Sequence, residues 1–145
     1  MFLGEYEHSL DAKGRLAIPA RFRALLGEGA VMSRGFDGCL VIYPADVWRT
    51  VAEKLDTLTT TQEAARLAKR FVFAGASECE FDRQGRILVP AFLRTYAALA
   101  ESAAVVGQYS RIEVWDVARW GEMSARAEAE SGQIAQQLAG LGLDL

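Results

Sequence analysis

The sequence predicts an α+β fold with a mainly β core, built from two tandem copies of one unit. Three observations carry this. Residues 11–23, DAKGRLAIPARFR, return 71 positions later as residues 82–94, DRQGRILVPAFLR. Around both copies, short apolar runs bounded by Gly and Asp alternate with stretches of helical spacing. Of the 145 residues 51% are hydrophobic and 24% charged, an ordinary globular composition. Half of such a chain buries only a thin core, so the two copies are expected to pack together or oligomerise.

Taken in order, Phe2, Tyr6 and Leu10 mark a weak period-two strand. DAKG then reads as a turn, with Asp11 bonding local backbone and Gly14 free to take a positive φ. RLAI follows as a second strand, so residues 2–18 are expected to form a β-hairpin. Pro19 opens a short helix with Phe22, Leu25 and Leu26 on one face and Gly27 as its stop. AVMS and CLVIY, separated by RGFDG, read as a second hairpin. From Pro44, Val47, Trp48, Val51 and Leu55 have helical spacing; LTTT breaks it, and a further helix spans Gln62–Arg70.

The order then restarts. SECEF, the DRQG turn and RILV repeat the first hairpin, and PAFLRTYAAL the helix. AAVVGQ and RIEVW are strands, and Asp116 caps a helix bearing Val117 and Trp120. Past the Pro-Ala step the alignment slips by one residue, giving Leu40/Ile112, Ile42/Val114 and Trp48/Trp120. With two copies only, this is a duplicated domain and not a solenoid. The expected division is residues 1–75, residues 76–123 and a partly helical or mobile tail over 124–145, weakened as helix by Gly132, Gly140 and Gly142.

Charge is unevenly spread. The net charge is −3, and residues 121–145 carry all of it, with Glu122, Glu128, Glu130 and Asp144 against Arg126. Residues 11–23 instead hold Lys13, Arg15, Arg21 and Arg23 against Asp11. Local excess, not the total, decides whether a phosphate backbone is attracted. No run reaches the roughly 20 apolar residues of a membrane span. The opening MFLGEYEHSL lacks the basic segment of a signal peptide, so a cytoplasmic protein with two reduced, buried thiols is expected.

The inventory argues against an enzyme. His8 is the sole histidine, and in the repeat alignment it falls opposite Cys79. With Cys39 that makes three soft ligands without metal-site spacing, so no metal and no cofactor are expected. Neither a Gly-rich phosphate loop nor a nucleophile elbow is present, and no small-molecule substrate is implied. The duplicated turn is the better candidate. Arg15 and Arg86 each follow a tight turn, where a guanidinium can fork onto a phosphate or onto the O6/N7 edge of guanine. Lys13 and Arg83 lie on the same turns and add phosphate contacts. Asp11 and Asp82, with Gly14 and Gly85, are assigned to bracing the turns, although bracing and contact can coexist. Arg21 is assigned to a solvated helix face, and Arg34 is either ligand-facing or merely exposed. Tyr43, Trp48, Trp115 and Trp120 are assigned to packing. The helices over Val47–Leu55 and Gln62–Arg70 carry apolar surface beyond what a hairpin core consumes, which suggests subunit contacts.

Together MFLGEYEHSLDAKGRLAIPARFR, RGFDGCLVIYP, CEFDRQGRILVP and RIEVWD resemble the MraZ family of bacterial regulators, from Met1 to about Met123. The resemblance implies two tandem AbrB/SpoVT-type repeats interleaved as a swapped-hairpin β-barrel-like unit with flanking helices. It implies ring-like homo-oligomers that bind double-stranded promoter DNA through the D-x-x-x-R turns. The DNA-binding residues it implies are Arg15 and Arg86, supported by Lys13. Implied targets are short G-rich direct repeats upstream of the division and cell-wall gene cluster, usually repressed, which makes the protein nucleoid-associated. The alternative is an antitoxin-like or scaffold protein that uses the same barrel to bind another protein.

Overall fold

The computed structural model describes residues 1–145. Both halves of the chain contribute the same seven elements in the same order. The first half supplies strands β1 (Glu5–Ser9) and β2 (Arg15–Ala17), helix α1 (Ala20–Leu26), strands β3 (Val31–Arg34) and β4 (Leu40–Tyr43), and helices α2 (Ala45–Asp56) and α3 (Glu63–Ala74). The second supplies β5 (Ser77–Glu78), β6 (Arg86–Leu88), α4 (Ala91–Ala97), β7 (Ser102–Gly107), β8 (Ile112–Asp116), α5 (Val117–Ala129) and α6 (Ser131–Gly140).

Six strands form one antiparallel sheet in the order β1-β7-β8-β4-β3-β5. Exchanging the halves turns this order into its own reverse, so a pseudo-two-fold axis runs between β4 and β8. The first strand of each half lies against the β-hairpin of the other: β1 pairs β7, and β5 pairs β3. The remaining strands, β2 and β6, pair as a separate ribbon centred on Leu16↔Ile87. The large sheet ends at β1 and β5, and the strands do not close into a barrel.

This corrects the expected hairpin over residues 2–18. The turn forms, but a single bridge, Leu10↔Leu16, is all that joins its two arms. Beyond it β1 runs to β7 and β2 to β6. The reason is burial: one copy offers too little core, whereas crossing over leaves Leu16 and Ile87 wholly inaccessible to solvent. The hairpins β3–β4 and β7–β8 form as the sequence predicts.

The larger core fills the space between sheet and ribbon, with Leu16, Ile18 and Phe22 meeting Ile87, Val89 and Leu93 across the pseudo-axis. A smaller cluster on the other face of the sheet holds Val41, Tyr43 and Trp115 under Trp48 of α2 and Trp120 of α5. The tryptophans therefore pack. Pro19 and Pro90 precede α1 and α4 with φ near −50° and −56°, where a missing N–H costs nothing. In the seven-residue α1 only Phe22 and Leu26 are buried, while Leu25 is exposed; so short a helix covers a narrow stripe.

Two helical extents exceed the expectation. Helix α3 continues through Phe71, Val72 and Phe73, where Val72 is buried and Phe71 packs edge-to-face with Tyr96 and at a tilt on Phe36. Helix α5 starts at the Asp116 cap, whose carboxylate accepts from the Arg119 N–H at 3.1 Å, and runs past Met123 to Ala129. Helix α6 follows it without a buried residue.

Residues 1–75 alone leave β1 and β2 without partners. This fragment is expected to yield no folded monomer by circular dichroism and light scattering. It should be either unfolded or a two-chain species in which a second fragment supplies the missing strands; a folded single chain would contradict the crossed pairing.

Candidate nucleic-acid interface

The two duplicated turns have the same hydrogen-bond pattern, atom for atom. Asp11 Oδ1 accepts from the N–H of Lys13 at 3.0 Å and of Arg15 at 2.9 Å. Asp82 Oδ1 accepts from the N–H of Gln84 at 2.9 Å and of Arg86 at 3.0 Å. Backbone bonds Gly14 N–H to Asp11 and Gly85 N–H to Asp82 close both loops at 3.0 Å. Gly14 (φ 86°) and Gly85 (φ 75°) sit in the left-handed region, where a side chain is strained. In both turns the Asp carboxylate and the Gly backbone thus make the closing contacts of the loop.

The arginines are part of the brace as well. Arg15 Nε donates to Asp11 Oδ2 at 2.7 Å, and Arg86 Nε to Asp82 Oδ2 at 2.9 Å. Their side chains are 37% and 26% exposed, so they lie back on the turns instead of protruding freely. The ribbon places the two turns side by side, and Arg86 Nη1 reaches 3.5 Å from Asp11 Oδ2. One carboxylate oxygen thus touches both guanidiniums, while Asp82 serves only its own. The outer nitrogens of Arg15 make no hydrogen bond within the chain and remain donors for a ligand. Lys13 and Arg83 are exposed, and neither enters an ion pair. The cluster therefore holds four basic side chains against two carboxylates.

Each turn is seated on the opposite repeat. The Val89 N–H donates to the Gly14 carbonyl at 2.8 Å, and the Ile18 N–H to the Gly85 carbonyl at 3.2 Å. Arg94 Nε donates to the Val89 carbonyl at 3.0 Å, and Arg23 Nη1 to the Ile18 carbonyl at 2.8 Å. These two arginines fill the space beside the glycines. A Cβ on Gly14 would stand 2.7 Å from Arg94 Nε and 2.9 Å from the Val89 carbonyl, and one on Gly85 would run into the Arg23 guanidinium. Sequence reasoning did not assign this positioning role to Arg23 and Arg94. The available signal was their recurrence in register, where Arg21 is instead matched by Phe92.

The other candidates lie elsewhere. Arg34 is not freely exposed: its guanidinium packs on the rings of Phe71, Phe92 and Tyr96 and donates to the Phe71 carbonyl at 3.3 Å. Cys39 and Cys79 are buried and unbridged. Burial pushes both thiols up to about 12, with the Glu113 carboxylate adding to the effect at Cys39, so both are protonated near neutrality. No group of three His, Cys, Asp or Glu residues is arranged to hold a metal ion. No helix is long and apolar enough to cross a membrane.

A family profile described as "MraZ protein, putative antitoxin-like" matches the chain twice, over residues 1–71 and 72–141. The second match runs well past Met123, so the resemblance extends further than the sequence motifs alone suggest. Among curated relatives, "Transcriptional regulator MraZ" of Desulfitobacterium hafniense (strain Y51) is 50% identical over 143 residues, 99% of this chain and 100% of that protein. The proteins of that name from Heliobacterium modesticaldum and Lactiplantibacillus plantarum are each 47% identical over 138 residues, 95% of this chain and 96% and 98% of theirs.

Two outcomes are expected of the turns. Gly14→Ala and Gly85→Ala should each destabilise the fold by about 1–3 kcal/mol, read as a fall in Tm of about 3–10 °C. The second concerns pH. The Arg15 N–H holds the Asp11 carboxyl below its ordinary 3.8, and the Arg86 N–H does the same for Asp82. A depressed folded-state value stabilises fully above the ordinary value and is lost as pH falls through the lowered one. The Asp11→Asn/Asp82→Asn variant should therefore lose less Tm than the parent chain between about pH 5 and pH 2.

Proposed function

The chain belongs to the MraZ family, and on that premise we propose that it is a transcription regulator that binds duplex promoter DNA through its paired turns. The observation that carries this reading is the juxtaposition of two identical turns on one ribbon, with both guanidiniums meeting at Asp11. Bracing through Nε fixes each guanidinium plane before a ligand arrives, which limits the side-chain entropy lost on binding. The outer nitrogens are the pair that suits a guanine O6/N7 edge. Asp11 and Asp82 offset the charge of Arg15 and Arg86, so net attraction to phosphate falls to Lys13 and Arg83.

One pair of turns makes too few cationic contacts for useful affinity against competing DNA. Repetition answers this. Copies of the chain arranged as a ring-like homo-oligomer present the pair at regular intervals, and effective concentration multiplies weak contacts. Such an assembly reads short, evenly spaced, G-rich direct repeats. In this reading the protein is nucleoid-associated in the cytoplasm, and it represses the division and cell-wall gene cluster downstream of its operator.

Fluorescence anisotropy on the promoter fragment across a salt series tests the assignment. Arg15→Ala and Arg86→Ala should each cost about 1–3 kcal/mol and relax the preference for G-rich sites. Lys13→Ala and Arg83→Ala should weaken binding to all sequences alike and reduce the salt slope by about 1 each. Unchanged affinity in a folded Arg15→Ala/Arg86→Ala chain would sink the proposal.

A further inference from the structure

Two apolar surfaces of the chain lack a partner. The first is a groove along α3, walled by Ala64, Leu67, Ala68 and Phe71 with Phe36 from the β3–β4 turn. Phe36 is 73% and Leu67 54% exposed with every other element of the same chain in place, so α6 of that chain does not cover them. Arg34 and Arg70 also line the groove, while Arg66 and Lys69 of α3 donate to the Thr60 and Asp56 carbonyls. The second surface is α6 itself. Ile134, Leu138 and Leu141 fall at spacings of four and three and form one stripe, and Leu141 is 82% exposed. Glu128 and Glu130 precede the stripe and Asp144 follows it.

Helix α6 has ten residues, includes Gly132 and Gly140, and buries none of its side chains. A helix so short, with two glycines, gains little from its own hydrogen bonds and depends on covering its apolar stripe. Its length, about 15 Å, suits a groove running along α3, about 18 Å long. The signs also match: an apolar stripe flanked by carboxylates faces an apolar groove that two guanidiniums also line.

We infer that α6 of one copy docks in the α3 groove of the next copy, a head-to-tail contact between two unlike faces. It rests on the homo-oligomer part of the proposed function and names the surfaces that build it. A contact of this kind repeats from copy to copy, and a rotation that closes gives a ring.

The test is the particle mass of the full chain by size-exclusion light scattering, with far-UV circular dichroism on the same samples. The parent chain is expected as a particle of several copies. Leu67→Glu, which spoils the groove, and Ile134→Glu/Leu141→Glu, which spoils the stripe, should each fall to the single-chain mass of 15.9 kDa with an unchanged spectrum. Mixed together they should form a species of two chains and no larger, since the mixture holds one intact groove for each intact stripe. Arg70→Glu and Glu128→Arg alter exposed charges that enter no ion pair within the chain; each should weaken assembly, and the two combined in one chain should restore it. Variants that keep the parent mass would overturn the docking while leaving the oligomer intact. A mixture that stays single-chain would show that the two faces are not partners. A parent chain that is single at all concentrations would remove the homo-oligomer and this contact with it.

Discussion

Each basic turn is closed by its own Asp and Gly but seated on the other repeat. The Gly14 carbonyl is held by Val89 and the Gly85 carbonyl by Ile18, so each loop rests on the strand end of the other half. That exchange needs glycine twice over, for the positive φ and for the space that Arg94 and Arg23 occupy. It also draws β2 and β6 together, which closes Leu16 and Ile87 over the larger core. Folding and the presentation of Arg15 and Arg86 are therefore one event. A loosened turn would cost core packing, and a loosened core would misplace the guanidiniums.

The same turns reconcile an acidic protein with the proposed anionic partner. Backbone N–H groups and a neighbouring guanidinium keep Asp11 and Asp82 ionised, so the carboxylates serve as fixed acceptors for their own loops. Their charge is answered locally by Arg15 and Arg86, which leaves Lys13 and Arg83 as the uncompensated part of that surface. The acids that set the net charge lie on α5 and beyond it. Total charge averages over both regions and so hides the surface on which the proposed recognition rests.

Much of this was legible in the sequence. Asp-x-x-Gly-Arg specified both turns, Pro19 and Pro90 the helix starts, and the RGFDG turn the β3–β4 hairpin. Local chemistry determines such features, and local chemistry is what a string of residues displays. The partners of β1 and β2 were not legible, because alternation shows that a strand has two faces and not which strand it meets. Burial across the pseudo-axis decided that. Arg34 escaped for a similar reason, since Phe71, Phe92 and Tyr96 come from α3 and α4, far apart in the chain. The recurrence of Arg23 as Arg94 was visible, but its use depends on a glycine that comes from the other half.

The internal two-fold also restricts how copies of the chain can meet. Both ends of the large sheet are poor templates for strand addition. The β1 edge exposes Glu5 and Glu7, and β5 is two residues long with Glu78 exposed. Short, acidic edges discourage pairing with another chain. Apolar association is then left to the helices, where the two halves differ. Helix α3 is tied to its own sheet by the bond from Ser33 Oγ to the Val72 carbonyl at 2.6 Å, whereas its counterpart α6 rests on α5 without a buried side chain. Two identical halves would offer only like surfaces. Divergence between α3 and α6 supplies a groove and a stripe, the two unlike faces that a repeating head-to-tail contact requires. The shared turn chemistry of the halves sets the paired turns, and in the proposed assembly the difference between α3 and α6 is the means of repeating that pair at regular spacing.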